Sequence, residues 1–313
     1  MEIKKLLIIG GSGFFAKSIL DYILDYNLFK NVKTVLLLSR KFNKIIISKN
    51  LKKKIKIKNI RADISKLKKI PFADYVIYCA IIDDYNQDYK AVCNYYELAK
   101  KYHYKSRILY TSSGAIYGQQ PKYIKKIKEN YLSFKKKKKF RSNLKNIYSI
   151  SKLKSEKKFQ ELGKLGIKVS IARCFAFVGK HLPRNKGYAV GNFIGNIVKT
   201  KTVKVNSTFD VVRSYMYADD LARWLLKIVF KANSKCPIYN VGSDSEISIF
   251  KLADLLSKKY NIKLICKTKN SNFVDRYVPN INKAKNKLRL NIKYNNLESV
   301  IKTIKLLRHE KTC

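Results

Sequence analysis

Tyr148-Ser149-Ile150-Ser151-Lys152 sets a phenol and an ammonium four residues apart, one turn along a single face if the segment is helical. A free tyrosine phenol has a pKa of about 10, too high to exchange protons readily at neutral pH. A neighbouring cation stabilises the phenolate and lowers that value. A serine hydroxyl beside such a pair can hold a substrate oxygen in line for proton transfer, and Ser112-Ser113 lies 35 residues upstream. The spacing alone proves little. With 22 tyrosines and 57 lysines in 313 residues, chance supplies about four Tyr-x-x-x-Lys pairs, and the chain holds four, at Tyr26, Tyr96, Tyr131 and Tyr148. Position selects Tyr148. Its serine pair ends an apolar run, Arg107 to Thr111, and open parallel sheets bind ligands at the carboxyl ends of their strands.

The elements that must position these groups are legible along the first half, where apolar runs alternate with helical patterns, as in a parallel sheet with crossover helices. Strands are expected at Leu6–Ile9, Thr34–Leu38, Ile55–Ile60 (half-exposed, with period two), Tyr75–Ala80, Arg107–Thr111 and Val169–Arg173, with helices at Ala16–Tyr26 and Ala91–Tyr102. Pro121 to Asn146, with five consecutive lysines at 135–139, is expected to be a solvated loop without chemistry. After Cys174 the alternation fades. Helices are expected at Asn192–Thr200 and Asp219–Phe230, and strands at Thr202–Val205 and Ile238–Gly242.

Gly10-Gly11-Ser12-Gly13 follows the first strand, and Gly10-x-x-Gly13-x-x-Ala16 spans the strand-to-helix turn. Glycines permit the tight turn and the close approach of a pyrophosphate, which the helix N-terminus then faces with its amides. The second strand ends in Ser39-Arg40-Lys41, where NAD-binding folds usually place a carboxylate against the ribose hydroxyls. A small hydroxyl followed by two cations suits a 2′-phosphate, so NADP is the expected cofactor and NAD the second choice. Asp63-Ile64, after the third strand, is placed to frame the adenine.

Composition narrows the class. Hydrophobic residues at 46% and charged residues at 28% exclude wholesale disorder. No apolar run approaches the length of a membrane span, and the start does not fit a cleavable leader. The six cysteines form neither a CxxC nor a His-paired spacing, which fits a reducing cytoplasm and argues against a structural metal. The net charge of +47 welcomes anionic ligands. Only 11 of the 68 basic residues are arginine, the residue that reads base edges. With Lys, Asn, Ile and Tyr all abundant, compositional bias is the preferred account, and no specific nucleic-acid partner is expected.

Beyond these motifs the sequence resembles the extended short-chain dehydrogenase/reductase family, in its nucleotide-sugar epimerase/dehydratase/reductase branch. The matching blocks are Gly10 to Ala16, Thr111 to Gly118, Tyr148 to Lys152 with Glu156, Arg173-Cys174-Phe175, Gly191 to Ile194, Arg213 to Ala222, Tyr239 to Gly242 and Asp275 to Pro279, in the family's order. The resemblance implies an α/β fold, a Rossmann-type doubly wound parallel sheet with a smaller C-terminal α/β substrate lobe. The dinucleotide domain would cover residues 1–175, rejoined by about 214–242, and the nucleotide-sugar lobe 176–213 and 243–313. Ser113, Tyr148 and Lys152 then correspond to the catalytic trio. Gly10, Gly13, Phe14, Phe15, Ser39, Arg40, Asp63, Ile64, Cys79 and Ala80 correspond to cofactor contacts, together with Tyr148 and Lys152. Ser113, Asn192, Arg213 and Arg276 correspond to substrate contacts, the last three for the nucleotide diphosphate. A homodimer built as a four-helix bundle from the Ala91–Tyr102 and Tyr148 helices is also implied.

Departures from the family pattern are informative. Ala16 replaces the third glycine, Ala176 and Tyr89 stand where asparagines are common, and Gly114-Ala115 occupy the slot where dehydratases carry Asp-Glu. Eliminating water needs an acid and a base at that place, so dehydration is not expected. The reading that follows is an NADP-dependent reductase of a nucleotide-linked 4-keto deoxyhexose, serving surface-polysaccharide sugar synthesis. A nucleotide-sugar 4-epimerase holding NAD is the alternative. The remote one is a non-catalytic dinucleotide sensor or a nucleic-acid-associated protein.

Overall fold

The computed structural model describes residues 4–26, 32–41, 55–131, 143–184, 188–200, 202–269 and 271–312. They divide into two compact units. The first is Met1–Ile116, Lys139–Cys174 and Ala222–Tyr239, and the second is Tyr117–Lys138, Phe175–Leu221 and Asn240–Cys313.

In the first unit the apolar runs become central strands because both of their faces are covered. Strand β1 (Lys4–Ile9) buries Leu6, Leu7, Ile8 and Ile9 completely. It pairs in parallel with β2 (Val32–Ser39) on one side and β4 (Tyr75–Tyr78) on the other. The outer strand β3 (Lys56–Arg61) follows β2, while β5 (Arg107–Ser113) and β6 (Lys168–Cys174) follow β4. With β11 (Ile238–Val241) the sheet has seven strands in the order β11-β6-β5-β4-β1-β2-β3. Chain direction across the sheet reverses between β1 and β4, and the crevice outside such a switch point is where doubly wound sheets take their ligand.

Helix α1 (Phe14–Tyr26) begins two residues earlier than the hydrophobic period predicts. Helix α2 (Tyr85–Tyr102) begins six residues earlier, because Asp84 caps it by accepting from the amides of Asn86 and Gln87. Helix α3 (Asn143–Lys164) carries Tyr148 and Lys152. Beneath α2 and α3 an aromatic cluster of Tyr78, Tyr95, Tyr110 and Phe159 fills the core, Tyr110 stacking on Phe159 at 4.3 Å. The sole tryptophan, Trp224, is wholly buried in helix α5 (Ala218–Phe230), preceded in the chain by α4 (Ala189–Lys199).

The second unit is assembled from short pieces. Strands β12 (Ile247–Ser248), β9 (Asp210–Arg213) and β14 (Val274–Tyr277) form a three-stranded sheet. Two strand pairs accompany it, β7 (Phe177–Val178) with β10 (Met216–Tyr217) and β8 (Thr202–Val205) with β13 (Lys263–Cys266). Its core packs Phe193, Val203, Leu252, Leu256, Val300 and Ile304 from α4, β8, α6 (Ile249–Tyr260) and α7 (Asn296–Thr312). The expected loop from Pro121 to Asn146 is borne out in part: residues 121–131 form neither helix nor extended strand and are exposed or half-buried except at Ile127, whereas α3 already begins at Asn143. Ile127 is buried there and bridges to Pro279, and Gln120 accepts from the Val278 amide. The expectation for Lys135–Lys139 lies outside the described residues. Among the described residues no helix is long and apolar enough to cross a membrane.

Candidate active site

The glycine turn fits a dinucleotide. Gly10 takes a φ of +99°, and a Cβ there would stand 2.6 Å from the Ala80 nitrogen, a position open only to glycine. Its amide and that of Gly11 donate to the Leu38 carbonyl, locking the turn to the end of β2. Among the described residues a Cβ at Gly13 would meet only the Gly10 carbonyl oxygen, at 3.3 Å. The outer side of the turn is therefore clear for a pyrophosphate where α1 starts. Phe14 and Phe15 open that helix, their rings 5.8 Å apart.

The remaining expected cofactor residues surround the same end of the sheet. Ser39 closes β2, its hydroxyl 2.7 Å from that of Ser12. Arg40 is exposed. Asp63 accepts from the amide and hydroxyl of Ser65. Burial opposes its charge, but those two bonds, with Arg40 and Lys66 nearby, hold the carboxyl below its ordinary value. Ile64 is buried, and its carbonyl is pinned by the Asn94 amide at 2.7 Å. Cys79 donates its amide to the Ile9 carbonyl beside Ala80.

On the C-terminal side of β5, Ser113 is buried and its hydroxyl accepts from the Ala115 amide at 3.1 Å. Tyr148 is half-buried, its ring 5.3 Å from that of Tyr85. Lys152 is 3% exposed. Its Nζ lies 5.9 Å from the Tyr148 ring centroid and 5.4 Å from that of Tyr110, three residues before Ser113. Burial works against the ammonium, yet the Tyr110 phenol, the Asp88 carboxylate and Tyr148 outweigh it, so Lys152 holds its proton above the ordinary lysine range. The structure thus joins Tyr148 with Lys152 as the spacing predicts.

Two acids missing from the expected site hold that helix in place. Asp88 Oδ2 lies 3.3 Å from Lys152 Nζ, and its Oδ1 accepts from the Ile82 amide at 2.9 Å. One turn beyond Lys152, Glu156 receives Arg173 of β6 through both oxygens, at 3.0 and 2.8 Å, with both residues buried. The Ser151 hydroxyl donates to the Tyr85 carbonyl, tying α3 to the start of α2. A signal for Asp88 exists in the sequence, since it falls in register with Ala91, Val92, Tyr95, Leu98 and Ala99, the apolar stripe of α2. A charge on a buried stripe requires a partner.

The expected diphosphate residues lie in the second unit. Asn192 is exposed on α4. Arg213 ends β9 and donates to the Asp275 carbonyl at 2.7 Å and carboxylate at 2.8 Å. Arg276, on β14, pairs with Glu246. Each arginine is already paired with a carboxylate.

Comparison with known proteins gives the family and the fold. A family model described as the NAD dependent epimerase/dehydratase family matches residues 6–242. No curated protein matches the chain by sequence. Among solved structures, the chain is similar to the dTDP-glucose 4,6-dehydratase of Bacillus anthracis str. Ames in complex with NAD, at 16% identity over 99% of this chain and 98% of that one, with a TM-score of 0.77. It is likewise similar to the UDP-glucose 4-epimerase of Thermotoga maritima with UDP-glucose (19%, 98% and 99%, 0.77). A third is the UDP-N-acetylglucosamine 4-epimerase of Methanobrevibacter ruminantium M1 in complex with UDP-N-acetylmuramic acid (18%, 99% and 100%, 0.75). At these identities the likeness is one of fold.

Proposed function

The chain belongs to the NAD dependent epimerase/dehydratase family, and on that premise we propose that it reduces the 4-keto group of a nucleotide-linked deoxyhexose, with NADP as the preferred dinucleotide. The observation that carries the reading is Lys152, buried 5.9 Å from the Tyr148 ring centroid on a helix that packs against β5, the strand ending in Ser113. The dinucleotide, when bound, supplies the hydride. Ser113 orients the substrate carbonyl, and Tyr148 gives its phenolic proton to the oxygen as negative charge develops there. Lys152 eases that transfer by stabilising the phenolate left behind, and it offers donors to the ribose hydroxyls of the dinucleotide. Asn192, Arg213 and Arg276 would take the nucleotide diphosphate of the substrate.

Gly114 and Ala115 form the short turn after Ser113 and offer neither acid nor base, so the dehydratase branch of the family is disfavoured. Against NADP stands one observation. Arg40 lies near enough to Asp63 to draw its carboxyl down, so that guanidinium is not reserved for a phosphate. This favours the second reading, a 4-epimerase with NAD. In both readings α2 and α3 would pair with a second copy as a four-helix bundle, to which α3 brings the exposed Leu144, Ile147 and Ile150.

Tyr148→Phe tests the reading. With a panel of 4-keto deoxyhexoses on different nucleoside diphosphates, oxidation of the reduced dinucleotide should slow by at least about a hundredfold. Affinity for the dinucleotide should not change. Near-normal turnover would show that another group donates the proton.

A further inference from the structure

Among the described residues three acids are buried, Asp88, Glu156 and Asp220. Glu156 is committed to Arg173, and Asp220 accepts from the Lys293 amide. Asp88 faces Lys152. The titratable groups around that ammonium are Asp88 and Tyr85 on α2, Tyr110 on β5, Cys79 past the end of β4, Cys174 at the end of β6, and Tyr148 on its own helix. Burial pushes the Cys79 thiol and the Tyr110 phenol up to about 12, and moves Cys174 in the same direction. Asp88 is the only carboxylate in the set.

We propose that Asp88 is the positioning residue of Lys152, its carboxylate keeping the buried ammonium charged and aimed between Tyr110 and Tyr148. The carboxylate cannot drift, because the Ile82 amide grips its other oxygen. At 3.3 Å the contact to Nζ is longer than a tight charge-assisted bond of about 2.8 Å. Asp88 engages one of the three ammonium donors and Tyr110 another, which leaves a donor for a ligand. Without that charge, a cation buried to this depth is strongly disfavoured and sheds its proton instead. Resting on the functional reading above, Asp88 also governs, through Lys152, how firmly the dinucleotide ribose is held.

The test compares the full-length wild type, Asp88→Asn, Lys152→Met and the double variant. Asparagine keeps an acceptor for the Ile82 amide but sets an NH2 where the second carboxylate oxygen faced Lys152, so the variant loses the charge and the acceptor for the ammonium together. At pH 7 Asp88→Asn should lower the melting temperature by roughly 5–10 °C, as expected for one partner of a buried pair. At pH 10 the deficit should shrink by about half or more. Lys152 in this variant has a folded-state pKa below its unfolded value of about 10.4, so stability rises with pH across that interval. In the Lys152→Met background the substitution should cost little at either pH. Calorimetric titration with NADP and NAD should show at least about a tenfold weaker binding from Asp88→Asn when Lys152 is present, and under about twofold when Met replaces it.

A deficit equal at both pH values, or equal in both backgrounds, would overturn the proposal and leave Asp88 as an anchor for Ile82 alone. If Asp88→Asn fails to fold while the double variant folds, the damage runs through the unmatched ammonium, as proposed. If neither folds, the proposal is overturned. A wild type that binds neither dinucleotide refutes the functional reading and the ribose consequence, while the melts still decide the hold of Asp88 on Lys152.

Discussion

Glu156→Gln isolates the pair that fixes helix α3 to the sheet. Glu156 and Arg173 are 2% and 1% exposed, and the guanidinium spends Nε and Nη2 on the two carboxylate oxygens at 3.0 and 2.8 Å. Glutamine is almost isosteric, but one of its terminal groups is an amide NH2, which would face a guanidinium donor. The variant therefore loses the charge and one of the two bonds, and Arg173 keeps a positive charge in a dry environment. Breaking a buried pair from one side costs about 3–5 kcal/mol. At roughly 2 °C per kcal/mol for a chain of this size, the melting temperature should fall by about 6–10 °C. Glu97→Gln is the control. It breaks the pair with Lys100, whose side chains are 64% and 38% exposed, and should melt as the wild type does. Replacing Glu156 and Arg173 together by methionine should recover much of the loss, because no unmatched charge remains. Differential scanning calorimetry at pH 7 measures all four proteins. If Glu156→Gln melted within about 2 °C of the wild type, the pair would contribute nothing beyond shape, and the account of how α3 is held would be wrong.

The cofactor preference is measured by titrating dinucleotide-free protein. Each charge-assisted contact from Arg40 to a 2′-phosphate is worth roughly 1.5–3 kcal/mol, so NADP should bind about tenfold to a hundredfold more tightly than NAD, and Ser39→Asp with Arg40→Asn should invert the order. Equal affinities, or NAD retained through purification, would move the assignment to the epimerase. Acid stability should depend on His103, which is fully buried between the Tyr95 hydroxyl and the Pro71 carbonyl. Burial lowers its pKa, and the bond to Pro71 offsets this only in part. The unfolded chain therefore takes up a proton below about pH 6.5 that the native state refuses, and stability falls as pH drops through that range. Urea midpoints at pH 7.5 and 5 should differ less in His103→Gln than in the wild type. An identical difference would remove His103 from the explanation.

Much of the first unit was legible because its signals are local. An apolar run followed by glycines predicts a buried strand and a phosphate-approaching turn, and the turn at Gly10 has the positive φ that only such a residue tolerates easily. The Tyr148–Lys152 pair is legible from helical spacing together with its place after Ser112-Ser113, since the spacing alone recurs at Tyr26, Tyr96 and Tyr131. The hydrophobic period misses the start of α2 because Tyr85 to Tyr89 is polar, and the Asp84 cap decides where that helix begins. The partners of the arginines lay beyond local reading. Asp275 reaches Arg213 because β14 lies parallel to β9 across about 60 residues of intervening chain, a pairing that no local pattern announces.

Trp224 gives the molecule an internal optical gauge. It is the only tryptophan among 22 tyrosines, and it belongs to the first unit. Excitation near 295 nm therefore monitors the emission of that unit alone, while far-ultraviolet circular dichroism sums the helices of both. If the units lose structure together, the two denaturation curves superimpose. If the second unit, built from short strands, gives way first, ellipticity declines while the indole emission stays at its native wavelength. A single fluorescence trace would then overstate the resistance of the whole chain, and every midpoint obtained from it describes the seven-stranded sheet with its helices.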